Sequence, residues 1–274
     1  MRCLIALLLS AIAFLAAACC VRNEETGMYE PEFYGDDQMN QLGDQAYRDI
    51  LAKEKRSTDA AATALLQRIG SRIAAVSGRS DFQWEFNLID SKTMNAFCLP
   101  GGKVAFYTGI LGVCQDEAGI AVVMGHEVAH ATRNHGNRRM SQGAIVGAAS
   151  VSLAAILEAR GTTPTSQNMI LAAFGVGSQV GVLSYSRGHE SEADRVGLMY
   201  MAAAGYDPRV SVPFWQRFSE IAGDSGTPSW LSTHPKGPDR AARLNELLPE
   251  AIALYEKAPA KYGRGEPVPE RYRK

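Results

Sequence analysis

The feature that most constrains the fold is a His-Glu-x-x-His motif at residues 126–130, set inside a long apolar run. A spacing of four residues on a helix brings His126 and His130 onto one face, one turn apart, so both rings can bind one metal ion. Glu127 is then placed to accept a proton from a water that the metal activates. The small apolar residues 118–125 are typical of a buried helix, where two histidines are costly unless a ligand satisfies them. The pattern therefore favours a zinc site over a chance match.

The flanks of the motif predict the limits of its helix. Asp116 and Glu117 predict the start, because acidic side chains are stabilised at the positive end of the helix dipole. Gly136 predicts the C-terminal stop, and His135 lies off the metal-facing stripe, where it is expected to stabilise the helix C-terminus. Metal sites with a third histidine six residues beyond His130 are excluded, since Gly136 occupies that position. The third ligand must therefore come from another part of the chain.

The best candidate for that ligand is Glu190. On a helix, Glu190 and Asp194 share one face with two small residues, Ala193 and Gly197, which allow close approach to a second helix. Glu190 is therefore predicted as the third metal ligand, and Asp194 as a carboxylate that orients a ligand histidine. Glu192 points roughly the opposite way and is expected to form a solvated ion pair with an arginine three residues on, although it remains the alternative ligand.

A further histidine, His234, precedes a proline, and Arg240 follows a few residues later. A lone histidine before proline is usually a loop residue. In a zinc hydrolase, however, a remote histidine can stabilise the oxyanion that forms during hydrolysis. The residues alone leave both alternatives open.

These motifs make the chain resemble the zinc metallopeptidases that include the CAAX prenyl endopeptidase, the mitochondrial Oma-type protease and the bacterial β-barrel assembly-enhancing protease (metallopeptidase family forty-eight). The resemblance covers roughly residues 38–250, with four motifs in the family's order. They are Asn95-Ala96-Phe97-Cys98-Leu99-Pro100-Gly101-Gly102, then residues 125–130, then Tyr185-Ser186-Arg187 with Glu190, Glu192, Ala193 and Asp194, and finally Ser232-Thr233-His234-Pro235 with Arg240.

The resemblance implies a role for each matched residue. His126, His130 and Glu190 are expected to bind one Zn²⁺ per chain, with Glu127 as the catalytic base. His234 matches a family histidine that can influence the metal site. We expect a stand-alone peptidase domain of the soluble type, since the membrane spans of the prenyl endopeptidase and the helical repeats of the barrel-assembly member have no counterpart here. Prenylated peptides are therefore not the expected substrates.

The N-terminus has the pattern of a lipoprotein signal peptide at residues 1–18. A short basic start precedes the apolar run Leu4–Leu15, and small residues stand directly before Cys19. The pattern predicts cleavage before Cys19 and a lipid anchor on it. Cleavage before Cys20, an ordinary secretory signal and an uncleaved anchor are the alternatives. All of them predict a periplasm-facing protein of the bacterial cell envelope, and the absence of aspartate after Cys19 favours the outer membrane.

Composition and periodicity predict the remaining organisation. Residues 19–37 are expected to be a polar tether, 38–257 the zinc metallopeptidase domain and 258–274 a flexible tail. Lys and Arg number 28 against 29 Asp and Glu, so no nucleic-acid partner is indicated. Cys98 and Cys114 are expected to be buried thiols, with a disulfide as the alternative.

The predicted fold class is α+β, a mostly helical zincin-type (gluzincin) peptidase domain with a small β-sheet beside the active-site helix. Apart from the two metal-binding helices, helical patterns cover residues 38–55, 57–76, 140–160, 165–184 and 208–221, and strand patterns cover 84–89 and 103–107. The apolar run 143–157 is too short for a membrane span and is expected to be a buried helix, with a lid over the cleft or on the membrane as the alternative.

The predicted function is a zinc endopeptidase acting on unfolded or misassembled envelope polypeptides. The segment 95–99 is expected to align an extended substrate as an added strand. A latent protease that acts mainly as a chaperone or assembly factor is the main alternative. A zinc hydrolase of small molecules is disfavoured, because no small-molecule motif accompanies the metal pattern.

Overall fold

The computed structural model describes residues 20–159, 186–224, 230, 234 and 240–273. Its strands are β1 (Cys20–Arg22), β2 (Tyr29–Pro31), β3 (Glu85–Ile89), β4 (Ala96–Leu99) and β5 (Lys103–Tyr107). Its α-helices are α1 (Asp36–Lys53), α2 (Ala60–Val76), α3 (Thr108–Cys114), α4 (Glu117–Thr132), α5 (His135–Ala159), α6 (Arg187–Ala203), α7 (Ser211–Asp224) and α8 (Arg240–Lys257). The fold is α+β and mostly helical, as predicted. The helix predicted at 165–184 lies outside the described residues.

A three-stranded sheet lies beside the motif helix. Its strand order is β3-β5-β4, with β3 parallel and β4 antiparallel to β5. Every residue of β5 is buried, which explains its nearly continuous apolar sequence. Within the described residues β4 forms an edge of the sheet, and it packs against both α1 and α4. The turn between β4 and β5 uses two glycines in the left-handed region, Gly101 and Gly102, at φ 79° and 81°.

Helix α4 carries the motif and forms the centre of the core. The Asp116 side chain accepts a hydrogen bond from the backbone N–H of Gly119, which confirms the predicted start. All residues from Glu117 to Ala131 are buried, which explains why the helix is apolar all round. The predicted stop at Gly136 is wrong. The helix ends at Thr132, the left-handed Asn134 (φ 54°) turns the chain, and Gly136 belongs to α5.

Helices α4 and α6 meet at two glycines. A Cβ on Gly125 would lie 2.5 Å from the carbonyl oxygen of Gly197, and a Cβ on Gly197 would lie 2.6 Å from the backbone nitrogen of His126. Such distances leave no room for a side chain, so the two backbones are in direct contact. The predicted close approach of the Glu190 helix to a second helix is therefore confirmed. That second helix is α4, and the contact brings His126 and Glu190 onto facing surfaces.

The segment predicted as a polar tether is folded from Cys20 onwards. Strands β1 and β2 pair antiparallel as a two-stranded ribbon, and β2 contacts α5. The buried Glu30 of β2 bonds to side chains that lie more than 100 residues away in the sequence. The local polarity of the segment therefore reflects a buried polar interface, not solvation. The predicted domain boundary at residue 38 stays a prediction.

The segment predicted as a flexible tail packs against the start of α4. The backbone N–H groups of Glu117 and Ala118 donate to the carbonyls of Glu266 and Arg264 at 2.9 and 3.0 Å, and Val268 is fully buried. The first N–H groups of a helix have no partner within the helix, and the C-terminal chain supplies these acceptors. The charged composition of residues 258–274 therefore led to a wrong expectation of disorder.

Helix α5 includes the apolar run that was expected to be buried. Residues 144–147 are exposed, with Ile145 at 47% and Val146 at 40% of their accessible surface, so the expectation is wrong for this part of the run. Among the helices of the described residues, none combines the length and apolar character needed to cross a membrane. Cys98 and Cys114 are both buried free thiols, as expected.

Candidate metal centre

Four buried side chains converge on one point at the junction of α4 and α6. They are His126 and His130 from α4, Glu190 from the first turn of α6, and His234. One ligand atom from each can be chosen so that all four lie within 4.8 Å of one another. None of the four side chains is more than 4% exposed. The structure thus brings together the two motif histidines, the favoured glutamate and the distant histidine.

The distances within this group fit a zinc ion. Zinc bonds of about 2.0–2.1 Å in a tetrahedron put neighbouring ligand atoms about 3.3 Å apart. His126 Nε2 lies 3.1 Å from His130 Nε2 and 3.3 Å from His234 Nδ1. Glu190 Oε1 lies 3.4 Å from His130 Nε2 and 3.0 Å from His234 Nδ1. These separations are those of ligands that surround one small cation.

The charge states of Glu190 and His130 are those of metal ligands. Burial would raise the pKa of Glu190, but the charge of His234 and hydrogen bonds from His130 and His234 hold that pKa well below its usual value. Burial holds the pKa of His130 well below its usual value. A neutral imidazole and an ionised carboxylate are the forms that bind a metal. In addition, Glu190 Oε2 is buried without a hydrogen-bond partner among the described residues and lies 3.6 Å from His126 Nε2 and 3.7 Å from Arg240 Nη2.

Glu127 lies next to this group but outside it. Its Oε1 accepts a hydrogen bond of 2.7 Å from Nε1 of Trp230 and lies 3.6 Å from His234 Nε2. Trp230 stacks on His234 with ring centroids 4.2 Å apart, and the backbone N–H of His234 donates to the backbone carbonyl of Trp230. Trp230 was not identified from the sequence, because no motif marks it. Trp230 thus links Glu127 to His234.

Asp194 lies one helical turn beyond Glu190 and contacts His126. The two side chains are joined by a hydrogen bond of 3.0 Å between His126 Nδ1 and Asp194 Oδ1. Arg240 donates to the same oxygen at 2.5 Å, and its guanidinium lies over the Trp215 ring at 3.6 Å. Burial would raise the pKa of Asp194, but Arg240 and His126 outweigh it and lower that pKa. The ionised carboxylate fixes the Nδ1–H tautomer of His126 and leaves Nε2 free to bind a metal.

Glu192 and His135 depart from their predicted places. Glu192 is 1% exposed, so the expected solvated ion pair with Arg195 is wrong; Arg195 instead pairs with Glu24 and Glu25. His135 does not end α4 but begins α5, and its ring bonds to both Glu192 and His130. Sequence spacing could not reveal these contacts, because they depend on how α5 packs beside α6.

An apolar cavity of about 310 Å³ opens beside His130. Its walls come from α1, the end of β4 and the start of α5, with apolar contributions that include Met39, Ala46, Leu99 and Met140. It lies at one end of the edge strand, next to the metal group. A cavity of this size and lining accommodates a bulky apolar side chain.

Comparison with known proteins gives a family-level match. Residues 60–248 match the sequence profile of Peptidase family M48. The chain is 38% identical over 190 residues to the mitochondrial metalloendopeptidase OMA1 of Schizosaccharomyces pombe, an alignment covering 69% of this chain and 54% of that protein. It is 27% identical over 225 residues to the β-barrel assembly-enhancing protease of Yersinia pestis, covering 79% and 46% of the two chains.

A third relative is the putative β-barrel assembly-enhancing protease of Vibrio cholerae, 33% identical over 183 residues, with 66% of this chain and 38% of that protein covered. The chain thus spans about half or less of the length of these relatives. The family profile begins at residue 60 and therefore excludes the β1–β2 ribbon and α1.

Proposed function

The chain belongs to Peptidase family M48, and on this basis we propose that it is a zinc-dependent endopeptidase of the bacterial cell envelope that cleaves unfolded or misassembled proteins. One observation carries the proposal: the ligand atoms of His126, His130, Glu190 and His234 meet within 4.8 Å, with the Glu127 carboxylate beside them. The experiment that tests it is zinc quantification on the purified protein, followed by casein cleavage before and after zinc removal with a chelator. Absence of zinc, or cleavage that is indifferent to the chelator, would contradict the proposal.

Each residue has a role in the proposed mechanism. His126, His130 and Glu190 would hold the zinc ion, which when bound supplies Lewis acidity and makes a water nucleophilic near neutral pH. Glu127 takes the proton from the attacking water and delivers it to the leaving amine. Asp194, with Arg240 behind it, keeps the His126 ring in its metal-binding orientation.

Edge strand β4 supports an extended polypeptide as the substrate. A strand added to this edge would run past the metal group and expose its backbone amides to it. The apolar cavity lies at the Leu99 end of the strand, so we propose that it receives a bulky apolar side chain near the scissile bond.

Filling this cavity should change substrate preference. Ala46→Phe is expected to lower kcat/KM about 10- to 100-fold for peptides with leucine or phenylalanine near the cleaved bond, and much less for alanine-substituted peptides, because the ring occupies the space for the side chain. The measurement is kcat/KM over a matched peptide series. Gln45→Phe, one residue earlier on α1 and exposed to solvent, is the control. Equal losses for leucine and alanine peptides would contradict the assignment of the cavity.

The envelope location rests on the N-terminal sequence and on the two bacterial relatives named as β-barrel assembly-enhancing proteases. The OMA1 relatives carry mitochondrial names, so family membership alone does not distinguish the compartments. We expect the mature chain to begin at an acylated Cys19. The intact mass of protein extracted from membranes should show a diacyl or triacyl addition and loss of residues 1–18. A soluble form with another N-terminus and no lipid mass would refute the anchor.

A latent protease that serves mainly as a chaperone or assembly factor is the second candidate function. The observation that favours it is His234, whose Nδ1 lies 3.3 Å from His126 Nε2 and 3.0 Å from Glu190 Oε1. A catalytic zinc site leaves one position for water, whereas four protein ligands close the site. With His234 as the fourth ligand, water has no position until that residue moves.

His234→Ala should therefore activate the enzyme. If the closed arrangement is populated about nine times in ten, removing it raises the rate about tenfold. The remaining ligands, two histidines and one carboxylate, are a donor set typical of catalytic zinc sites and should retain the zinc. Peptide cleavage and zinc content on the same preparation check this. A fall of about 10²-fold with zinc retained would instead assign His234 to oxyanion stabilisation. Unchanged kinetics would return His234 to the role of an ordinary loop residue.

A further inference from the structure

A buried charge network adjoins the metal centre at His130. It consists of His135, Glu192, Arg138, Glu30 and His189. Three of these residues are at most 1% exposed, Arg138 is 4% exposed and Glu30 is 9% exposed. The network joins α5 and α6 to the β1–β2 ribbon, since Glu30 lies in β2. It thus connects a segment outside the family profile to the centre of the molecule.

The first part of the network holds the His130 ring. His130 Nδ1 lies 2.8 Å from His135 Nδ1, and His135 Nε2 lies 3.0 Å from Glu192 Oε2. With Nε2 of His130 directed at the metal position, its Nδ1 carries the proton and donates to His135. His135 then accepts at Nδ1 and donates from Nε2 to the Glu192 carboxylate. Only one tautomer of each ring satisfies this chain, so Glu192 fixes the orientation of His130.

The second part ties Glu192 to the ribbon. Arg138 Nη1 lies 3.3 Å from Glu192 Oε2 and 3.2 Å from Glu30 Oε2, so one guanidinium nitrogen bridges two carboxylates. Arg138 Nε also lies 3.5 Å from Glu32 Oε2. Two buried carboxylates repel each other unless a cation lies between them. The position of Arg138, and through it the position of Glu192, therefore depends on Glu30.

The same glutamate also fixes the start of α6. Glu30 Oε2 lies 3.0 Å from Nε2 of His189, the residue directly before the ligand Glu190. The ribbon is tightly packed here, because a Cβ on Gly188 would lie 2.7 Å from Cγ2 of Thr26. Glu30 thus acts on two sides of the metal centre, on His130 through Arg138 and Glu192, and on Glu190 through His189.

From these contacts we propose that Glu30 and Glu192 are positioning residues of the metal centre, and that the β1–β2 ribbon is part of the active site. The arrangement mirrors the other ligand histidine, His126, whose Asp194 is held by Arg240. Each of the two ligand histidines is thus connected, directly or through a second histidine, to a carboxylate that a buried arginine contacts. The inference rests on the proposed zinc-binding function and adds the ribbon to it.

Zinc affinity and a cobalt spectrum in the full-length chain test this inference. Loss of a residue that orients a metal ligand typically weakens metal binding 10- to 100-fold. We expect a loss of about 100-fold for Glu192→Gln and about tenfold for Glu30→Gln, because Glu32 still faces Arg138. Glu24→Gln is the matched control, since Glu24 precedes β2 by a few residues and pairs with Arg195 at the surface. Its zinc affinity should equal that of the wild type.

The visible spectrum of the Co²⁺-substituted protein separates positioning from simple stabilisation of the fold. Both Glu30→Gln and Glu192→Gln should shift its bands, because the geometry of the His130 ligand changes, and Glu24→Gln should not. Zinc affinity and cobalt bands of Glu30→Gln that match those of Glu24→Gln would overturn the inference, even if its apoprotein melts at a lower temperature. Both readouts concern metal binding, so they decide the inference whether or not the zinc-loaded protein cleaves casein.

Discussion

Replacing Glu127 with glutamine is expected to reduce casein cleavage by at least about 10²-fold while zinc stays bound at one ion per chain. Glutamine has nearly the same shape and can still accept the hydrogen bond from Trp230 Nε1, which is 2.7 Å from Glu127 Oε1 in the wild type. It cannot take a proton from the attacking water. The loss should therefore appear in kcat, with little change in KM.

The measurement is steady-state cleavage together with metal content on the same preparation. Glu220→Gln, which alters an exposed glutamate of α7, controls for the loss of one negative charge. Cleavage by Glu127→Gln at the wild-type rate would exclude Glu127 as the base. Loss of zinc from this variant would instead make Glu127 part of the ligand set, contrary to its place outside the four converging side chains.

Replacing Glu190 with alanine should remove most of the bound zinc and with it the activity. Structural zinc sites with four ligands bind with about 10–16 kcal/mol, so one ligand accounts for roughly 3 kcal/mol, or a loss of roughly 10²–10³-fold in affinity. The effect should lie at the upper end, because Glu190 is the only carboxylate among the four converging side chains. Zinc stoichiometry after dialysis against a weak chelator measures it.

The graded comparison with neighbouring positions of α6 makes this test decisive. Ser191→Ala should keep full zinc content, and Glu192→Ala should lose less affinity than Glu190→Ala, since Glu192 acts on His130 only through His135. A larger loss for Glu192→Ala than for Glu190→Ala would mean that the ligand has been assigned to the wrong glutamate.

The parts of the site that the sequence predicts are those set by helical periodicity. The spacing of His126 and His130 fixes their common face wherever the helix lies. Small residues on the Glu190 face predict close contact of α6 with another helix, and the structure shows that this helix is α4, at Gly125 and Gly197. The fold class and the strand at 103–107 follow in the same way, from apolar patterns of the correct period.

The parts that the sequence does not predict depend on contacts between distant segments. Glu192 was expected in solvent because a helical wheel gives only its direction, and α5 occupies that direction with His135 and Arg138. Glu30 was assigned to a tether because its partners lie 108 and 159 residues away. A polar segment that is exposed to solvent and a polar segment that pairs with buried charges can have the same composition, so composition does not distinguish them.

The ribbon that begins at Cys20 would also limit how far the catalytic domain could reach from a lipid anchor on Cys19. A flexible segment over residues 19–37 would give the catalytic domain roughly 24 Å of root-mean-square travel from the bilayer. If Cys19 carries the proposed lipid, strand β1 begins at the very next residue and leaves no flexible segment of this kind, so the catalytic domain would lie directly on the lipid surface. Its cleft would then sample only a layer about as thick as the domain itself, whose radius of gyration is about 18 Å for a chain of this length. Such an enzyme would cleave polypeptides as they arrive at or leave the membrane. It would not reach polypeptides that diffuse farther from the membrane.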